Sequence, residues 1–189
     1  RETVGSQDQM TVAIGGLNHI KFLPGGEINV YPVGISSQRM QNFNNHLLLF
    51  FTGTSRNSQE ITKIKIKKIK AKTAEVARMK TMVKEAVSIL KSNAPITEIG
   101  KLLHEGWMAK RSLSSNISTQ SIDDIYQTAR SNGAFGGKLL GAGGGGFMLI
   151  FACPENHQKI CEALSNLVRV PFRFEFKGSS ICLNEPEGL

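Results

Sequence analysis

Apolar positions follow two rhythms along the chain, a two-residue alternation near both ends and a three-to-four-residue recurrence in the middle. Thr11–Ile14 reads as a short β-prone run closed by Gly15-Gly16. His19–Leu23 is a second, ended by Pro24-Gly25-Gly26, and Ile28–Val33 a third. The pattern predicts a meander of three short strands. Three strands with so few apolar residues make no core alone, so strand partners are expected upstream of Arg1. Leu47-Leu48-Leu49-Phe50-Phe51 is an apolar run of strand length that suits a strand covered on both faces, and it stops at Thr52-Gly53. Thr54 to Ser58 supplies hydroxyls and an Asn fit to cap a helix. Lys63 to Lys67 alternates like a strand, but Ile61–Lys72 has no turn before Ala71 and flows into the stripe Val76, Met79, Met82, Val83, Val87, Leu90. Helix is predicted for both stretches.

Pro95 marks another helix start, before the stripe Ile99, Leu102, Leu103, Trp107, Met108. Ser112–Ser118 reads as a polar loop. Ser121 leads into a helix bearing Ile122, Ile125, Tyr126 and Ala129, stopped by Asn132-Gly133. The end predicts strand Gly137–Leu140, a Gly-rich turn, strand Phe147–Ala152, helix Pro154–Leu167 and strand Phe172–Phe176, with Ser180–Leu183 extending the last. From Leu47 onward this is an α+β sandwich, with helices on one face of an antiparallel sheet.

Composition narrows the class. Of 189 residues, 40% are apolar and 20% charged, which excludes a disordered acidic tail or a collagen-like polymer. The longest apolar run, Phe147–Cys153, is far shorter than the ~20 residues that cross a bilayer. Arg1-Glu2-Thr3-Val4-Gly5 lacks an initiator Met and an apolar secretion segment, so the chain reads as part of something longer. Cys153, Cys161 and Cys182, odd in number and without a CxxC pair, point to reduced thiols and the cytoplasm. The net charge of +8 is concentrated in residues 61–84, which hold nine Lys/Arg and one acid, Glu75. Such a patch suits nucleic acid or polyphosphate. It equally suits a solvated helix face, the preferred reading, since no aromatics interleave with the lysines.

Candidate chemistry lies at two places. Gly141-Ala142-Gly143-Gly144-Gly145-Gly146 puts five glycines in six residues between two strands. Their backbone is free to take positive φ, and bare N–H groups in such a turn form an anion-binding nest. No Gly-Lys-Ser/Thr follows, so it is not a Walker A loop. A strand rather than a helix follows, so it is not a dinucleotide fingerprint either. A flexible hairpin is the alternative. The second place is Gly5-Ser6-Gln7-Asp8-Gln9, whose Asp8 is either a turn or cap residue or a base that orients an attacking hydroxyl. His19, His46, His104 and His157 show no metal-ligand spacing and read as surface or packing residues.

Together the two places resemble the later motifs of the GHMP small-molecule kinases. Glu2 to Gln9, Phe51-Thr52-Gly53-Thr54-Ser55-Arg56, Leu103-His104-Glu105-Gly106-Trp107 and Lys138 to Phe147 are similar to the members that act on D-glycero-D-manno-heptose 7-phosphate. The resemblance implies the end of an N-terminal β-rich domain over residues 1–34 and a ferredoxin-like C-terminal domain over 35–189. It implies transfer of the γ-phosphoryl group of ATP, with Mg2+, to C1 of a sugar phosphate. Asp8 matches the catalytic aspartate, and Gly141, Ala142, Gly143, Gly144, Gly145 and Gly146 the motif beside the phosphates. Gln7, Gln9, Gly15, Gly16 and Arg56 become candidate substrate contacts. No membrane or nucleic-acid partner is implied, and a homodimer is compatible. The nucleotide loop and metal ligands of that family normally precede the Asp motif, so this polypeptide alone is expected to be inactive.

Other sugars of the same superfamily, such as galactose or fucose, are the alternative substrates, and a basic nucleic-acid module is the alternative class. Replacing Lys63, Lys65 and Lys67 by Gln is expected to leave turnover within a few-fold. A hundredfold loss would place the patch in the active site instead.

Overall fold

The structure, a computed structural model, describes residues 6–53, 73–114, 117–141 and 145–182. It divides at Gly34/Ile35 and after Phe172, so that residues 6–34 and 173–182 form one unit and 35–172 another.

In the first unit, Ser6–Ile14 is a helix, α1, which corrects the strand expected at Thr11–Ile14. Thr11 Oγ1 donates to Gln7 O at 2.9 Å and Gly15 N donates to Thr11 O at 2.9 Å, both one turn back along a helix. The β-branched Thr11, Val12 and Ile14 favour strand only weakly, and hydrogen bonding to the preceding turn overrides them. Strands β1 (Asn18–Phe22) and β2 (Ile28–Pro32) pair antiparallel, His19 opposite Tyr31, around the Pro24–Gly26 turn. The expected three-strand meander is therefore a two-strand hairpin. Phe172–Phe176 is not a strand either, nor is the described part of Ser180–Leu183. The amides of Phe176 and Lys177 donate to Glu175 Oε1, each at 2.7 Å, so the segment's own side chain takes the groups a ladder would need. The segment instead crosses the end of α1. Gly16 N donates to Glu175 O at 2.7 Å, and a Cβ on Gly15 would lie 2.3 Å from Gly178 N.

The second unit runs α2 (Ser37–Asn45), β3 (Leu47–Phe51), α3 (Thr73–Lys91), α4 (Thr97–Ser112), α5 (Gln120–Ser131), β4 (Ala134–Leu140), β5 (Phe147–Ala152), α6 (His157–Ala163) and β6 (Val168–Arg169). The predicted cap and helix over 54–72 lie outside the described residues. The strands form an antiparallel sheet in the order β4-β5-β3-β6. Helices α4 and α5 pack on β4, as the α+β reading expects. Leu48, Phe50, Trp107, Ile122, Ile125, Ala129, Leu139, Met148 and Ile150 form the core. Thr119 caps α5, its Oγ1 accepting from Ile122 N at 3.3 Å, and Asn132 closes the helix ahead of Gly133 at φ +98°. The last helix is shorter than predicted. A 3-10 turn at Pro154–Asn156 precedes α6, and Ser165-Asn166, which favour turns over helix interiors, follow it. Ser36 caps α2, and Arg39 in its first turn anchors the far end of α3, donating to Ile89 O (2.8 Å), Ala94 O (2.7 Å) and Leu90 O (3.4 Å). The carbonyls of Ile89 and Leu90 are among the last four of α3, which have no partner within the helix ladder. No described helix is long and apolar enough to cross a membrane.

Helix α4 touches β4 through backbone. A Cβ on Gly136 would lie 2.0 Å from Gly100 O and 2.7 Å from His104 N, and one on Gly100 would lie 2.5 Å from Phe135 Cβ. The strand register also shifts between Ala134 and Gly136, a bulge that brings Gly136 opposite Phe151. Across the α4–α5 seam, the rings of His104 and Tyr126 stack at 6.0 Å, with Nδ1 of His104 2.7 Å from the Tyr126 hydroxyl. Burial, with Arg130 nearby, holds His104 below the usual histidine value, and burial pushes Tyr126 up to about 12. The phenol is thus the donor and the neutral imidazole the acceptor.

Gly136→Ala is expected to cost about 3 kcal/mol or more, since both clashing neighbours are main chain. Gly34→Ala, whose Cβ meets nothing within 4 Å, should change stability by less than about 1 kcal/mol in the same urea titration. Equal effects would contradict the backbone seat. A pH dependence follows from His104. Its folded value lies below the unfolded 6.5, so the unfolded chain binds the proton first as pH falls. The neutral-form contribution is complete above about pH 6.5 and is lost as pH drops from there through the lower folded value. His157, also lowered by burial, adds with the same sign. Urea midpoints at pH 7.5 and 5.5 should differ less in His104→Gln than in the parent.

Candidate functional site at the glycine-rich turn

The Gly-rich turn closes the β4–β5 hairpin, where Leu140 pairs with Phe147. Ala142, Gly143 and Gly144 lie outside the described residues; Gly141, Gly145 and Gly146 lie within them. Gly141 stands at φ +93° and Gly146 at φ +115°, a region that side chains other than glycine rarely adopt. Both ends are held. At the second, Thr52 beyond the end of β3 makes three bonds to one glycine: Thr52 N and Oγ1 each donate to Gly146 O at 2.9 Å, and Gly146 N donates to Thr52 Oγ1 at 3.1 Å. Thr52 is buried, so this polar network sits where an unpaired group would be costly. At the first end, Lys110 near the C-terminus of α4 reaches Gly141 O at 3.5 Å. Lys110 and Lys138 also border an apolar cavity of about 220 Å³ between α3 and α4, walled by Met82, Leu103 and Trp107.

Chemically, the described ends of the turn, Gly141 and Gly146, stand at positive φ with a lysine at the first of them, a combination that suits an anion such as phosphate. Thr52 and Lys110 were not among the candidate site residues read from the sequence. Thr52 is the first polar residue after the apolar run Leu47–Phe51 and lies within the motif Phe51–Arg56, of which only Arg56 is a sequence-derived candidate.

Asp8 lies exposed in the first turn of α1, between the exposed Gln7 and Gln9. Gly15 and Gly16 end that helix at φ +69° and +75° and pack against residues 175–178. These five candidates belong to the first unit, Gly141, Gly145 and Gly146 to the second. Arg56 lies outside the described residues.

The histidines serve packing. His46 Nδ1 lies 2.8 Å from Asn42 O and stacks on Phe151, and His157 Nε2 lies 3.3 Å from Ala152 O. Among the described residues no group of three or more His, Cys, Asp or Glu is placed to hold a metal ion. Burial and Glu155 push the Cys153 thiol up, away from nucleophilic reactivity. Within the described part of the basic window, Arg78 is paired with both Glu85 and Glu105.

Comparison with known proteins bears on this geometry. The family profile described as GHMP kinases C terminal matches residues 89–169, from the end of α3 through β6, with the Gly-rich turn inside it. D-glycero-alpha-D-manno-heptose 7-phosphate kinase of Campylobacter jejuni is 28% identical over 162 residues, 85% of this chain and 48% of that protein. The bifunctional fucokinase/GDP-fucose pyrophosphorylase of Arabidopsis thaliana is 28% identical over 153 residues, 78% of this chain and 14% of that protein. The chain thus spans half or less of the length of these relatives. Among solved structures, a D-glycero-D-manno-heptose 1-phosphate kinase from Bacteroides thetaiotaomicron superposes with a TM-score of 0.68 at 22% identity, over 93% of this chain and 48% of that one. The chain has the fold of the GHMP kinases, and its residues 89–169 match the profile of their C-terminal domain.

Proposed function

We propose that this chain serves ATP-dependent phosphoryl transfer to a hydroxyl of a sugar or sugar phosphate, with C1 of D-glycero-D-manno-heptose 7-phosphate as the acceptor. The observation that carries the reading is the GHMP kinase domain match spanning a Gly-rich turn anchored at both ends. The heptose assignment draws on the Campylobacter relative and on the four motifs that resemble heptose kinases.

Phosphoryl transfer asks the protein mainly for positioning and charge neutralisation. ATP supplies the transferable γ-phosphoryl group. The backbone of the turn and the ammonium of Lys110 are assigned to the resulting negative charge, with the described ends of the turn held by Thr52 and Lys110. Asp8, exposed and without a hydrogen-bond partner among the described residues, has its carboxylate available to orient the acceptor hydroxyl and take its proton. Gln7, Gln9 and Arg56 are assigned to the acceptor. Gly15 and Gly16 act through the packing that ends α1. Magnesium finds no ligand set among the described residues, and no step here is routed through it.

Two measurements on the full polypeptide carrying these residues test the proposal. Acceptor-dependent ADP release from Mg-ATP should be at least tenfold more efficient with the heptose 7-phosphate than with galactose or fucose. Preference for another sugar would retain the kinase and change the substrate; no release with any sugar would remove the kinase. Asp8→Asn keeps the shape and loses the base, so kcat should fall by about 10²–10⁴-fold with little change in ATP affinity. Parental kcat in that variant would show that Asp8 is not the base.

A further inference from the structure

We infer that Thr52 is a positioning residue for the phosphate donor: its hydroxyl fixes Gly146 as the hinge of the Gly-rich turn and withdraws the Gly146 amide from ligand binding. The inference rests on the phosphoryl-transfer reading and assigns a role, within that site, to a side chain on a different strand. A hydroxyl has one proton to give and lone pairs to accept. Here the proton goes to Gly146 O at 2.9 Å and a lone pair takes Gly146 N–H at 3.1 Å, while the Thr52 main-chain N–H also donates to Gly146 O. Both polar groups of Gly146 are therefore engaged by a single residue.

Two consequences follow. The N–H of Gly146 is directed at β3, so it is not one of the amides that meets a phosphate. The peptide also stands at φ +115°, and a Cβ there would lie 3.1 Å from Leu140 O, so the turn leaves the sheet at an angle that favours glycine, held by both the main-chain N–H and the hydroxyl of Thr52. Phe51 pairs with Phe147 just beside the clamp, so the hinge is referenced to the central strand pair rather than to a loop. Burial of Thr52 excludes water as a ready substitute.

Substitution separates hydroxyl from shape. Thr52→Val keeps the β-branched volume and removes both side-chain bonds; Thr52→Ser keeps the hydroxyl and removes the methyl. The full polypeptide carrying these residues, labelled with ¹⁵N, is followed by amide hydrogen exchange and by Mg-ATP affinity. In Thr52→Val, exchange at Gly146 should accelerate at least tenfold while Leu49 and Leu149 in the paired strands stay protected. Mg-ATP affinity should weaken at least tenfold, and KM for the sugar should move less than threefold. Thr52→Ser should restore donor affinity to within threefold. Faster exchange with unchanged Mg-ATP affinity overturns the positioning role and leaves the kinase reading standing. Unchanged exchange at Gly146 overturns the clamp itself. A parent protein that binds no Mg-ATP fails the kinase reading instead, and takes the donor-positioning role with it.

Discussion

Backbone contact between α4 and β4 at Gly100 and Gly136 is the constraint from which the rest of the second unit follows. With side chains at either position the helix could not lie where it does, because the obstructing atoms are carbonyl, amide and a buried ring. Seated there, the helix and strand advance together. Ten helical residues from Gly100 to Lys110 cover about 15 Å, and five strand residues from Gly136 to Gly141 about 16 Å. The match explains how a lysine near one end of α4 meets the first glycine of the turn. It also places Trp107 in the core and His104 against Tyr126 on the way.

The other end of the turn depends on the sheet. Strand β3 lies between β5 and β6, and Thr52 beyond its end grips Gly146 from the side. A turn of mostly glycine would otherwise carry a large conformational freedom, which a ligand would have to suppress on binding. Holding both ends, one through a helix and one through a strand, reduces that cost without adding side chains that would obstruct a phosphate. Preorganisation of backbone donors is the form of catalysis that phosphoryl transfer most needs.

The sequence showed the repeating elements and hid the contacts between them. Leu47–Phe51, the helix through Glu75–Leu90, the Asn132-Gly133 stop and the Gly-rich turn were legible because apolar period and glycine placement are local signals. Thr11–Ile14 reads as strand because three β-branched residues, Thr11, Val12 and Ile14, outweigh the polar turn before them, whose hydrogen bonds make the helix. Phe172–Phe176 alternates like a strand, yet Glu175 folds back on its own backbone, which a pattern of hydropathy cannot reveal. Of the candidate site, the glycines and Asp8 stood out by composition or by family resemblance. Thr52, Gly100, Gly136 and Arg39 did not, because each acts on main-chain atoms distant in sequence: Thr52 on Gly146, Gly100 and Gly136 on each other's elements, Arg39 on the end of α3.

The central claim is that phosphate of the donor is met by the Gly-rich turn and Lys110. Backbone amide shifts recorded while the full polypeptide carrying these residues is titrated with a non-hydrolysable Mg-ATP analogue test it most directly. The account predicts the largest changes at Gly141, Gly145 and Lys110, with the α5–α6 side of the unit unmoved. Saturable changes confined to residues away from β4, β5 and α4 would contradict it.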